Sequence, residues 1–96
     1  MQSIRMNRAG TSVPVFLCPK VEAHRFYVDV SAGAEVSLQL SYERAGAKNR
    51  TWETYPVGKL TSDFAFEEFG VSAVRLCVVK KAEGNIDINL TVEAVK

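Results

Sequence analysis

Apolar and polar residues alternate along most of this chain with a period of two. The pattern is cleanest from Glu35 to Glu43, where Val36, Leu38, Leu40 and Tyr42 fall on one side and Glu35, Ser37, Gln39, Ser41 and Glu43 on the other. Such a stretch predicts a strand with one face on a core and the other in water, as in an antiparallel sheet. RFYVDV repeats the pattern with Phe26, Val28 and Val30, and TSVPVFL repeats it with Val13, Val15 and Leu17. Pro14 places the latter strand at a sheet edge, because proline cannot donate to a ladder. Near the C-terminus Val74, Leu76 and Val78 alternate with Ala73, Arg75, Cys77 and Val79. Both faces of that strand are mostly apolar, which predicts a central position with Arg75 in need of a partner or a route to solvent. The last strand sets Ile86, Ile88, Leu90, Val92 and Ala94 against Asn85, Asp87, Asn89, Thr91 and Glu93.

Between these runs lie turn signals. SAGAE and RAGAKN break the alternation, RTWETYPV reads as a short strand ended by Pro56, and Lys80, Lys81, Glu83 and Gly84 read as a polar hairpin turn. GKLTSDFAFEEFG fits a strand through Leu60, Phe64 and Phe66, although Ser62 could also begin one helical turn. The sum is six or seven short strands and no helix of ordinary length. The expected fold is all-β, a single antiparallel β-sandwich of jelly-roll or immunoglobulin-like type. MQSIRMNRAG shows neither period, so residues 1–10 read as an extended N-terminal arm and 11–96 as the sandwich domain. Ile4 and Met6 are the points by which such an arm would dock, on its own domain or on a neighbour.

Composition narrows the functional classes. A chain of 96 residues with 47% hydrophobic and 24% charged residues is one globular domain. A net charge of +1 gives no strong field for nucleic acid or an anionic membrane. The signs are uneven along the chain. Arg5, Arg8, Lys20 and Arg25 against Glu22 make residues 1–25 net +3, whereas residues 26–70 carry seven acids against four bases, net −3. No apolar leader segment is evident and no run approaches membrane-spanning length, which predicts a chain that begins near Met1 and folds in a cytoplasm. Cys18 and Cys77 sit in apolar runs without a CxxC partner, so free thiols are expected, with a bond between them open in an oxidising compartment.

Candidate chemistry is sparse. His24 has no HxxxH or HExxH context for zinc, and no GxSxG elbow marks a serine as a nucleophile. Adjacent Glu67 and Glu68 diverge in strand or helix and cannot flank a scissile bond. Asn85, Asp87 and Asn89 lack the order of a calcium loop. The expectation is therefore no enzyme, no metal and no cofactor. Trp52 and Tyr55 flank a loop and would either fill the end of the core or stack on a sugar ring.

LSYE, Trp52, SAVRLCV at Ser72–Val78 and INLTVEA together resemble a pattern of small virion proteins of tailed bacteriophages. In that pattern a strand leads through a loop to a tryptophan, then to an "xALRxxV" strand, and through a Gly-containing hairpin to a final alternating strand. The likeness spans about two thirds of the chain, and DFAFEEFG has no counterpart in it. It implies a structural subunit of a capsid, tail or head fibre, assembled in the host cytoplasm and present in the virion as a homo-oligomer. On that reading Ile4, Arg5, Met6 and Arg8 are the subunit contacts, with Trp52 and Tyr55 as loop anchors. The alternative is a carbohydrate-binding sandwich module in which Trp52 and Tyr55 form the platform.

Overall fold

The alternating runs become strands, in the order β1 Gln2–Met6, β2 Gly10–Thr11, β3 Val15–Phe16, β4 Ala23–Asp29, β5 Glu35–Ser41, β6 Glu53–Leu60, β7 Phe64–Phe69, β8 Ala73–Lys80 and β9 Ile88–Val95. A single 3-10 turn at Glu83–Asn85 precedes β9. The computed structural model describes residues 2–17, 23–30, 33–44, 46 and 48–95, with the backbone alone at 56–58 and 85.

Two antiparallel sheets pack face to face. Sheet A has the order β1-β9-β4-β7; sheet B has the order β2-β8-β5-β6, with β3 also on the outer side of β8. If β2 and β3 count as one interrupted edge strand, eight strands interleave between the sheets in the order of a jelly roll. Phe26, Val28, Ile88, Leu90 and Val92 from sheet A meet Val36, Leu38, Leu40, Val74, Leu76 and Val78 from sheet B, all 3% exposed or less. Phe26 stacks on Phe66 with ring centroids 4.8 Å apart, and Phe66 meets Tyr55 at 4.6 Å.

Four expectations are corrected. The N-terminal arm is strand β1, paired with β9 from Gln2↔Val92 to Met6↔Ile88, so Gln2–Met6 belongs to the sandwich. Its five residues are too short for a sequence period to stand out, but their ladder and Ile4, only 9% exposed, hold them in place. Second, β8 and β9 do not form a hairpin. They lie in different sheets, so the Lys80–Gly84 link crosses the end of the sandwich and their apolar faces oppose each other through the core. Third, β6 does not end at Pro56. It runs to Leu60 by means of a register shift, Tyr55 opposing Leu38 and Leu60 opposing Val36, and proline is tolerated in such an irregular edge segment. Fourth, Val13 does not share a face with Val15 and Leu17. It is 83% exposed in the break between β2 and β3, while Leu17 is buried. As the pattern predicts, β8 is central, flanked by β2 and β3 on one side and β5 on the other. Cys18 lies outside the described residues, and Cys77 is a half-buried free thiol.

Candidate functional site

The four N-terminal candidates divide by the alternation of β1. Ile4 and Met6 point inward, Ile4 opposite Leu90 and Met6 opposite Ile88, and both pack on the core. Arg5 points outward, its Nε 3.3 Å from Asn89 Oδ1 and 3.7 Å from Asp87 Oδ2. Arg8 is exposed on the crossing from sheet A to sheet B. Beside β1 runs a groove of about 1010 Å3 with Arg5, Arg8, Val13, Val15 and Asp87 in its walls.

Trp52 and Tyr55 do not form one platform. Tyr55 sits opposite fully buried Leu38 and touches Phe66, so its ring belongs to the interior. Trp52 lies under the Arg75 guanidinium, 4.2 Å from carbon to ring centroid, on the outer face of sheet B. There Arg75 Nε also donates to Gln39 Oε1 at 2.5 Å. This answers the sequence's demand for a partner to Arg75, because a guanidinium on an indole face is attracted by the ring quadrupole.

Side-chain networks organise both outer faces. On sheet A, Arg25 is bound to Glu67, lies 3.8 Å from Glu93 and donates to Tyr27 Oη at 3.4 Å; Tyr27 Oη in turn donates to Glu93 at 3.0 Å. The carboxylate and phenol beside Arg25 raise its already high pKa. At the end of sheet B, Arg50 Nη1 donates to Ser72 Oγ at 2.8 Å, to Ser41 Oγ at 3.2 Å and to Glu43 O at 3.3 Å, while Nη2 reaches Arg44 O at 3.3 Å. Ser72 Oγ donates to Glu43 O, and Arg50 lies over the Phe16 ring. Arg50 is thus a latch that holds the β5–β6 loop to the turn before β8.

Two titratable side chains are perturbed near the end of the β4–β7 pair where Ala23 meets Phe69. His24 is 4% exposed, faces inward opposite Glu68, and its Nδ1 has no hydrogen-bond partner among the described residues. Burial lowers its pKa. Burial and the carboxylates of Glu68 and Glu53 push the Tyr42 phenol up to about 12. Among the described residues no group of three or more His, Cys, Asp or Glu could hold a metal ion.

What remains are the sheet edges, where backbone N–H and C=O groups stand unpaired. Both edges of sheet B are blunted. Between β2 and β3 the Ser12–Pro14 break interrupts one edge, and Pro56 with the register shift interrupts the other. Sheet A has no such protection. Its ladders run without a register shift from β1 to β7, and neither edge strand contains proline. Sequence reasoning located Pro14 and Pro56 but could not assign them to the same sheet; the signal for the open edges is the proline-free FAFEEF segment. Comparison with protein-family models, with curated proteins and with solved structures finds no match to this chain.

Proposed function

We propose that this chain is a non-enzymatic structural subunit that binds its neighbours through strand edges, of the kind that decorates or stabilises the capsid, tail or head fibre of a phage. The observation that carries the reading is that both edges of sheet A are regular and proline-free, with Arg5 on β1 and Glu67 and Glu68 on β7 as their charged residues. Natural sandwiches protect such edges unless a partner uses them. The jelly-roll order suits a virion subunit and equally a lectin, so the fold alone does not choose between them. The glycan alternative asks for two flat rings on one face, and Trp52 and Tyr55 stand on opposite faces of sheet B. Support for the phage assignment comes from the resemblance of LSYE, Trp52, SAVRLCV and INLTVEA to small virion proteins.

The contacts follow the same logic. Arg8 is exposed and Arg5, also exposed, is held beside Asn89 and Asp87 at the edge, whereas Ile4 and Met6 act by shaping the edge from within. The test is where the chain goes in a phage lysate. Banding with particles in a density gradient, detected by antibody, is the expected result. A chain found only in the particle-free fractions, as a monomer whose tryptophan fluorescence responds to oligosaccharides, would overturn the reading.

A further inference from the structure

We infer that a second copy of this chain docks on sheet A edge to edge, the outer side of β1 in one copy pairing antiparallel with the outer side of β7 in the next. The inference rests on the assembly reading above but does not need the assembly to be a phage.

Strand direction permits the contact. Each ladder of β1-β9-β4-β7 is antiparallel, so β1 and β7 run in opposite directions, and a neighbour's β1 laid beside β7 continues the alternation. Hydrogen-bond phase permits it too. Gln2, Val92, Phe26 and Phe66 form one row across three regular ladders. Hydrogen-bonded and non-hydrogen-bonded pairs alternate from ladder to ladder along a row. After three ladders the phase returns, so Gln2, Ile4 and Met6 present or withhold their outward N–H and C=O groups in step with Phe64, Phe66 and Glu68. Keeping the core faces of the two copies on one side therefore also aligns the backbone groups.

Side chains select the register. With Ile4 opposite the neighbour's Phe66, Met6 falls opposite Phe64 and Gln2 opposite Glu68, so two of the three inner-face pairs are apolar and the third sets an amide against a carboxylate. On the outer face Arg5 then falls opposite Ala65, with Asp63 and Glu67 diagonal to it on either side. Diagonal neighbours lie roughly 7–8 Å apart at Cα, within reach of a long side chain. A slip of two residues one way sets Met6 against Ser62; the other way sets Ile4 against Glu68. A slip of one residue turns every side chain to the wrong face.

Exposure and charge agree with this pairing. Phe64 is 38% exposed and Val13, in the wall of the groove beside β1, is 83% exposed. The β1 side brings Arg5 and Arg8 beside Asp87, and the β7 side brings Asp63, Glu67 and Glu68 beside Arg25, so the two edges still differ in sign. The contact uses different surfaces on the two copies, so it propagates into a ring or a filament rather than closing as a two-fold dimer.

The test is a disulfide ladder. Ser3 falls opposite the neighbour's Glu67, at a spacing compatible with a disulfide. Within one chain the two sit at opposite edges of sheet A, three ladders or about 14 Å apart, too far for a bond. With Cys18 and Cys77 replaced by Ser, the Ser3→Cys/Glu67→Cys variant is oxidised and run without reductant. The expected result is dimers, trimers and higher species, with each single variant monomeric and an equimolar mixture of the two singles stopping at a dimer. A dimer from Glu67→Cys alone would mean β7 against β7, one from Ser3→Cys alone β1 against β1, and either overturns the pairing. Sedimentation of the unmodified chain separates the two levels. Oligomers without a ladder would leave assembly standing and remove the β1–β7 contact, whereas a monomer at all concentrations would remove both.

Discussion

Truncating Phe26 to alanine tests the centre of the sandwich. The ring is fully buried, lies parallel to Phe66 within 12° at 4.8 Å, and sits on the row Val92–Phe26–Phe66 that spans sheet A. Removing a buried phenyl group costs about 3–5 kcal/mol, the lost transfer energy plus the cavity left behind. Of this, about 0.5–1.5 kcal/mol is the stacked pair itself. A chain of 96 residues has a total stability of about 5–14 kcal/mol, so Phe26→Ala removes about a fifth of it or more. Phe64→Ala is the matched control, since that ring is 38% exposed and loses about half as much. Urea unfolding followed by circular dichroism reads both. With a slope of about 1.5 kcal/mol/M, Phe26→Ala lowers the midpoint by about 2–3 M. The double variant Phe26→Ala/Phe66→Ala should cost less than the sum of the singles by about 0.5–1.5 kcal/mol, because the stack is lost only once. A cost for Phe26→Ala below about 1.5 kcal/mol, or strict additivity in the cycle, would refute the packing described.

Three further outcomes are expected. His24 is buried and neutral, with its pKa lowered from 6.5, while the unfolded chain binds its proton at the ordinary value; stability is therefore full above pH 6.5 and falls as the pH drops below it toward the folded-state pKa. His24→Leu should flatten the pH dependence of the melting temperature in that window, and an unchanged slope would contradict the assignment. Arg50→Lys keeps the charge but cannot reproduce the fork to Ser72, Ser41, Glu43 and Arg44, so amide exchange in residues 43–52 should accelerate with the rest of the sandwich unaffected. Gly33→Ala meets both a positive φ of 80° and the Glu83 side chain at 3.4 Å, and should lower stability by about 1 kcal/mol in the same urea assay, whereas a neutral effect would place that turn differently.

The period-two runs made the two-sheet architecture legible, because burial on one face leaves a mark at every second residue. Val36, Leu38 and Leu40, or Ile88, Leu90 and Val92, point inward as the pattern requires. What the pattern could not show is which strand neighbours which. VSAVRLCVVKKAEGNIDINLTVEA looks like a hairpin, since a short polar link between two strands is also what a crossing between sheets looks like. Pairing is decided within each sheet, by partners such as Ser41 for Ala73 and Phe26 for Val92, which lie far apart in the chain. The candidate contact residues Ile4, Arg5, Met6 and Arg8 were marked in the sequence only as parts of an arm; the strand that frames them appears when Ile4 pairs with Leu90. Trp52 and Tyr55 are close in sequence and separated by the fold, because Tyr55 on β6 turns to the core while Trp52, just before that strand, lies under Arg75 on the outer face.

β9 lies between β1 and β4 and, among the described residues, supplies the only ladder of β1. Sheet A is therefore incomplete until the C-terminal residues are in place. The first strand made is among the last to be secured, and the pairing that secures it joins residues nearly a full chain length apart. A topology of this kind closes slowly, and a C-terminal shortening that reaches Val92 begins to undo the N-terminal strand as well. Loss of Ile88–Val95 to a protease would release β1 and strip β4 of one of its two neighbours, so that the eight residues of β9 govern the integrity of the five of β1.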